Sequence, residues 1–223
     1  MVVLLVLTLF AIALTADYLI SVRKGNVVDA VVAEPRRVEP APLSLVAGGF
    51  HIKPDFHYHP GHTWAVAETP ELVRVGLDDF VARVAGSLKE VTLPSRGQWI
   101  RQGQRVVGLG ADGRQFALVS PVEGVVVDVN EQVLEEPNVA RRDPYGEGWL
   151  LKVSAPDFRT VGRNLLTGSI ARRWMEDAGA RLRVMMAGPV PVAAYDGGIA
   201  VDDLSELLPE EVRASLGKEF FLE

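Results

Sequence analysis

Residues 91–130 read VTLPSRGQWIRQGQRVVGLGADGRQFALVSPVEGVVVDVN, and the turn signals in this stretch decide the fold. Three apolar runs rich in β-branched residues are predicted strands: 105–109, 116–120 and 125–130. Asp112 and Gly113 lie between the first two runs and form a favoured pair for a two-residue hairpin turn, because glycine adopts positive φ readily. The stretch therefore predicts an antiparallel hairpin with Gly113 at its tip.

The surrounding sequence continues the pattern of short strands separated by turns. Further predicted strands are 62–67, 72–77, 88–93 and 150–153, and a short helix at 79–85 follows the capping residues Asp78 and Asp79. Composition and spacing alone indicate a mainly β sandwich or barrel with short helices.

Composition and motifs exclude several classes of function. The chain has 223 residues, no cysteine and a net charge of −6, which argues against thiolate chemistry and against nucleic-acid binding. Gly108, Gly110 and Gly113 match a dinucleotide-binding fingerprint, but strand-like residues follow where that motif needs a helix. No catalytic triad spacing, phosphate loop or acid/base pair is present in the sequence, so we expect no enzyme activity.

Five motifs together carry a family resemblance over nearly half of the chain. They are GHTWAVAE (61–68), VGLDDF (75–80), VTLPSRGQWIRQGQ (91–104), SPVEGVVVDVN (120–130) and DPYGEGWLLKV (143–153). In this order and spacing they resemble the glycine cleavage system H protein family. The resemblance implies the lipoyl/biotinyl hammerhead, a barrel-sandwich hybrid of two small antiparallel sheets, with a lipoyl-lysine on an exposed hairpin.

No lysine occupies the position that corresponds to the family's lipoyl-lysine in this sequence. Ungapped counting from Gly103 to Pro121 places the family's lysine at Gly113. Arg114 does not substitute, because a guanidinium stays protonated and is not acylated as an amine is. The tip is distant in sequence from the other lysines considered, Lys53, Lys89 and Lys152. We therefore expect no lipoyl cofactor at the tip.

The sequence divides into four segments: a transmembrane helix at 1–22, a proline-rich strap at 23–56, the H-like domain at 57–157 and a C-terminal α/β extension at 158–223. The first segment is apolar over a length that crosses a bilayer. The positive-inside rule places its N-terminus outside and the main domain in the cytoplasm. The basic residues that follow it have a topogenic role or contact anionic lipid: Arg23, Lys24, Arg36 and Arg37.

The extension is predicted to contain a helix at 169–183, a hairpin around Asp196, and short helices at 204–208 and 210–216. One face of the first helix carries Ile170, Trp174, Ala178, Leu182 and Met185. This face packs on its own domain or, alternatively, docks on a partner or a membrane. The contact residues in the alternative are Arg172, Arg173 and Trp174.

All four histidines lie within residues 51–62, and clustered histidines are weak candidates for a metal site. The candidate ligands are His57, His59 and His62. Their spacing fits no common zinc signature, and His62 matches the histidine of the family's opening His-x-Trp motif. Packing and hydrogen bonding are the favoured interpretation.

Three functions are consistent with these features. The leading hypothesis is a non-catalytic structural or accessory subunit of a membrane protein complex, photosynthetic or respiratory, anchored by its helix and capping the cytoplasmic face. Its partners would be the complex subunits and the lipid bilayer. The alternatives are a membrane-tethered, non-lipoylated H-protein relative that docks glycine cleavage or lipoate enzymes, and a metal or ligand sensor that uses the histidines.

Overall fold

The structure is a computed structural model, and it describes residues 45–186, 195–196 and 198–222. Its strands are β1 (Leu45–Ala47), β2 (Phe50–Ile52), β3 (His57–His59), β4 (Thr63–Ala67), β5 (Leu72–Leu77), β6 (Leu88–Thr92), β7 (Trp99–Ile100), β8 (Arg105–Ala111), β9 (Arg114–Val119), β10 (Gly124–Val129), β11 (Leu151–Ser154), β12 (Tyr195–Asp196) and β13 (Ile199–Ala200). Its α-helices are α1 (Asp79–Val84), α2 (Glu131–Glu135), α3 (Asn138–Arg142), α4 (Phe158–Val161), α5 (Gly168–Met185) and α6 (Glu210–Phe220). Short 3-10 turns cover Gly162–Asn164 and Ser205–Leu207.

The larger sheet has six antiparallel strands in the order β3-β4-β5-β11-β10-β7. Strand β5 turns Val73 and Val75 into the core, and Val75 pairs with Leu151 of β11. Residue 76 must be glycine, because a Cβ atom there would lie 2.3 Å from the indole ring of Trp64. This sheet forms one wall of the core.

The smaller sheet has three antiparallel strands in the order β6-β8-β9. Its inner face is apolar and buried, with Leu88 from β6, Leu109 from β8 and Leu118 from β9. These residues belong to the same core cluster as the residues of the larger sheet. The β8–β9 hairpin is therefore fixed along one face by hydrophobic burial, and its tip is left at the surface.

The described part of the strap, residues 45–56, contains a hairpin. Strands β1 and β2 pair around Gly48 and Gly49, and Phe50 is fully buried. Gly48 approaches helix α5 so closely that a Cβ atom on Gly179 would lie 2.4 Å from the Gly48 carbonyl oxygen. Two glycines facing each other allow this close packing, which the prolines of the segment did not indicate.

The long helix of the extension forms where it was predicted, but its buried face differs from the predicted one. Ala171, Met175 and Leu182 are fully buried, whereas Ile170 is 62% exposed. Ala178 and Leu182 are buried as predicted, and Trp174 and Met185 are partly buried against the core. The face therefore differs only at its N-terminal end, where Ala171 and Met175 are buried and Ile170 is not.

The predicted hairpin and short helices of the extension are present in part. Strands β12 and β13 pair as Tyr195 with Ala200 and Asp196 with Ile199, and the predicted strand residues 190–194 lie outside the described residues. Helix α6 buries Val212 and Leu216. The predicted transmembrane helix at 1–22 and most of the strap also lie outside the described residues. Among the residues that are described, no helix combines the length and the apolar character needed to cross a bilayer.

Candidate functional site

The tip of the β8–β9 hairpin is a two-residue turn, as predicted. Ala111 pairs with Arg114, and Asp112 and Gly113 between them have φ angles of 50° and 76°. Positive φ at both central positions is the signature of a type I′ turn, whose twist matches that of the flanking strands. The fingerprint glycines 108, 110 and 113 therefore lie on a strand and a turn, and no helix follows them as nucleotide binding would require.

Gly113 lies in the exposed turn of this hairpin. The residue is exposed, and a Cβ atom added to it would meet no atom within 4 Å. A side chain projecting from this position would enter open solvent, which suits an attachment point for a mobile arm. Glycine supplies no side chain at this position.

The C-terminal segment, residues 210–222, contacts the β8–β9 hairpin at both of its ends. Near the tip, Arg114 Nη2 donates to the carboxylate oxygens of Glu210 at 2.9 and 3.1 Å. This hydrogen bond from Arg114 lowers the pKa of Glu210 below its ordinary value. At the base of the hairpin, Arg105 Nη2 donates to the Leu222 carbonyl oxygen at 3.0 Å. Helix α6 therefore lies along the hairpin, and Phe221 packs edge-on against Phe116 at 5.5 Å between ring centroids.

A buried polar pair lies at the N-terminus of helix α1. His62 Nδ1 and Asp78 Oδ2 are 2.7 Å apart, and both side chains are 0% exposed. Asp78 Oδ1 also accepts from the Val81 backbone N–H, which confirms its predicted role as the N-cap of α1. The imidazole stacks on Phe80 at 4.2 Å between ring centroids, and the Trp174 ring lies tilted against it at 4.6 Å. The His62 ring, which precedes β4, therefore contacts both the N-cap of α1 and helix α5.

The three candidate metal ligands serve separate local contacts. The His57 ring packs against Phe158 at 5.1 Å, and burial lowers its pKa. His59 Nδ1 accepts from the Gly61 backbone N–H at 3.0 Å, and burial and the nearby His62 lower its pKa. Within the described ranges, no group of three histidine or carboxylate side chains is arranged to hold a metal ion.

The candidate contact residues of α5 differ in their surroundings. Trp174 is half-buried against His62 and Tyr58, so it packs within its own chain. Arg172 and Arg173 are exposed, and Arg172 pairs with Glu176 at 2.9 Å. A partner or membrane contact through these arginines stays a prediction. The basic residues 23, 24, 36 and 37 lie outside the described residues.

The sequence did not indicate that charged residues of strand β6 lie beside the hairpin. Glu90 pairs with Gly110, and a Cβ atom on Gly110 would lie 3.2 Å from the Glu90 Cβ. Lys89 precedes it and is exposed. These two residues are about twenty positions from the tip in sequence but one strand, about 4.8 Å, from β8 in space. Only the strand register shows this proximity.

The two sheets and this hairpin define a small β-rich domain with an exposed hairpin tip. The family model for the glycine cleavage H-protein matches residues 56–178, more than half of the chain. The chain belongs to the glycine cleavage H-protein family.

Named relatives support this membership. A probable glycine cleavage system H protein of Aeropyrum pernix is 32% identical over 108 residues, which cover 48% of this chain and 75% of the relative. The glycine cleavage system H protein of Bifidobacterium longum is 38% identical over 106 residues, covering 48% of this chain and 77% of the relative. The crystal structure of a glycine cleavage system H protein from Mycobacterium marinum matches with a TM-score of 0.50 and 28% identity, covering 57% of this chain and 99% of that one.

These comparisons correct the leading functional hypothesis. The relatives are H proteins of the glycine cleavage system, so the interpretation as a subunit of a photosynthetic or respiratory membrane complex is wrong. The prediction that the chain is not an enzyme is confirmed, because the H protein is a non-catalytic carrier subunit.

Proposed function

We propose that this protein is an H-protein relative that docks with glycine cleavage or lipoate enzymes and carries no acyl group at its hairpin tip. The observation that carries the proposal is Gly113. It lies at the exposed tip of an intact family hairpin and supplies no amine. A docking surface needs the shape of the domain, whereas acylation needs a nucleophilic side chain, so loss of the lysine removes only the second.

The packing of the hairpin supports docking by a rigid surface. Strand β8 pairs with β6 on one side and with β9 on the other, and residues 210–222 contact both ends of the hairpin. Pre-organised surfaces bind with a smaller entropic cost than mobile ones. The chain is therefore suited to present the family's surface in one fixed conformation.

The test combines binding with a matched pair of tip variants. The tagged full chain, produced in a host grown without lipoate, is titrated with each purified glycine cleavage protein and with a lipoate–protein ligase, and binding is measured by interferometry. We expect saturable binding to at least one of them. Gly113→Lys and Gly113→Ala share the same backbone strain, but only the lysine variant has an amine at the tip.

Incubation with the ligase, lipoate and ATP should therefore acylate position 113 in Gly113→Lys and not in Gly113→Ala. The peptide 106–114 of the wild-type chain should show no mass adduct. Absence of binding to every glycine cleavage protein and to the ligase would remove the proposal. So would an adduct within that wild-type peptide.

We further propose that residues 2–22 tether this domain to a membrane, with the N-terminus outside and the main domain in the cytoplasm. The support is the apolar sequence of this segment and the basic residues Arg23 and Lys24 that follow it. Resistance of the full chain to alkaline extraction of membranes should show the tether. A C-terminal tag protected from external protease in intact cells should show the orientation. Release at alkaline pH, or cleavage of that tag, would contradict it.

A further inference from the structure

Helix α5 carries the two most exposed large apolar side chains of the described ranges. Ile170 is 62% exposed and Val184 is 74% exposed. They are separated by almost four turns of the same helix, so both side chains project from the same side of α5. The opposite side of α5 is buried in the core of its own domain.

Three further exposed residues complete a stripe between these two. The members of this outer stripe follow one another at spacings of three, four, three and four residues: Ile170, Arg173, Asp177, Ala180 and Val184. At about 100° per residue they fall within about 80° around the helix, and they extend over about 21 Å along its axis. Alternating spacings of three and four are the repeat by which one helix packs along another. The outer stripe therefore has the geometry of a seam for a second helix.

The two charged residues of the outer stripe are unpaired within the part of the chain that the structure describes. Neither Arg173 nor Asp177 forms a hydrogen bond or an ion pair with a described residue. Arg172 and Glu176, which have the same four-residue spacing beside the stripe, do pair at 2.9 Å. One positive and one negative charge on the stripe are therefore available to a partner with a complementary pattern.

The outer stripe is complementary to itself when a second copy of α5 runs antiparallel to the first. In the register that sets Arg173 opposite Asp177 of the second copy, Ile170 lies opposite Ala180, because each is three residues further from the centre. A large apolar side chain then meets a small one, and both charges meet a counterion. A parallel pair would instead set like charges opposite each other, which is unfavourable.

We propose that the protein forms a two-fold symmetric dimer through the outer stripe of helix α5, with a second copy of this chain as the partner. Arg173 of each copy pairs with Asp177 of the other, so the interface contains two symmetry-related ion pairs. Ile170 and Ala180 pack on both sides of these pairs. The contact is one helix wide and buries less than the roughly 1,200–2,000 Å² of a standard interface, so the dimer dissociates readily.

Reversal of single charges tests the interface. Sedimentation equilibrium of the full chain in density-matched mild detergent, up to about 500 μM, should show a concentration-dependent dimer. Arg173→Asp and Asp177→Arg each set like charges opposite one another at two places, and each should raise Kd by about tenfold or more. Arg172→Asp makes the same change in net charge as Arg173→Asp but lies beside the stripe. At physiological ionic strength this control should keep Kd within about twofold of the wild-type value.

A mixture of the two charge variants distinguishes this interface from any other. The Arg173→Asp chain has two acids on its stripe, and the Asp177→Arg chain has two arginines. We expect the mixture to form a heterodimer with a Kd near the wild-type value, although each variant alone dissociates. The double variant Arg173→Asp/Asp177→Arg should recover the homodimer. Circular dichroism confirms that each variant folds.

Introduced cysteines test the register, because the chain has no cysteine of its own. Mild oxidation of mixed Ile170→Cys and Ala180→Cys chains should give a disulfide-linked dimer. Neither variant alone should cross-link, since the two copies of one position lie about 15 Å apart along the helix axis, too far for a disulfide.

A wild-type chain that stays monomeric up to about 500 μM overturns the inference. A dimer whose Kd is unchanged in both charge variants also overturns it, because the contact would then lie elsewhere in the chain. Cross-linking of the Ile170→Cys chain with itself, or its absence from the mixture, would exclude the antiparallel register.

Discussion

Replacement of Phe221 by alanine tests whether the C-terminal segment is part of the hairpin's core. Phe221 is 0% exposed, and its ring meets Phe116 at 5.5 Å and an angle of 88°. Removal of a buried phenylalanine side chain costs about 3–5 kcal/mol, from lost burial and from the cavity left behind. At about 2–4 °C per kcal/mol for a domain of this size, Tm should fall by about 6–20 °C.

The neighbouring residue supplies the control. Leu222 is 49% exposed and follows Phe221 directly, so Leu222→Ala changes the same end of the chain with much less buried surface. We expect it to cost less than about 1 kcal/mol. Thermal unfolding of the full chain, followed by tryptophan fluorescence in the same mild detergent for every variant, gives both values.

Hydrogen exchange adds a local measurement to the thermal one. The amides of β8 and β9 should exchange faster in Phe221→Ala than in Leu222→Ala, because loss of the ring loosens the sheet it covers. Equal Tm values for the two variants, or unchanged exchange in the hairpin, would refute the reasoning. Either result would mean that the segment lies beside the domain without stabilising it.

Other predictions follow from single residues. Gly113→Ala should cost only about 1–2 kcal/mol in urea unfolding, since the added Cβ meets open space at a φ of 76°, whereas Gly76→Ala should cost more because its Cβ collides with a buried indole ring; equal losses would contradict this. The lowered pKa of Glu210, caused by the hydrogen bond from Arg114, means that this pair stabilises the fold above the ordinary value of 4.5 and loses its effect as pH falls below it. Glu210→Gln should therefore flatten the pH dependence of stability in that acidic window, and an unchanged profile would count against the ion pair. Burial lowers the pKa of His57 below 6.5, so its NMR titration midpoint should lie under 6.5 and its protonation should destabilise the fold as pH falls through that region; a midpoint at or above 6.5 would be the contrary result.

Local chemistry made the hairpin tip predictable from the sequence. Asp112 and Gly113 specify a type I′ turn through their own φ preferences, and the turn forms at that position. The capping role of Asp78 was predictable for the same reason, since a cap interacts with residues two or three positions away. Features that depend on a few consecutive residues were therefore recovered.

Features that depend on tertiary packing were not recovered. The exposed Ile170 was assigned to the buried face of α5 because large apolar side chains dominate a helical pattern. The structure buries Ala171 and Met175 instead, and Gly179 packs against the backbone of Gly48. Likewise, sequence distance separated Lys89 from Gly113, and only the pairing of β6 with β8 brings their surroundings together.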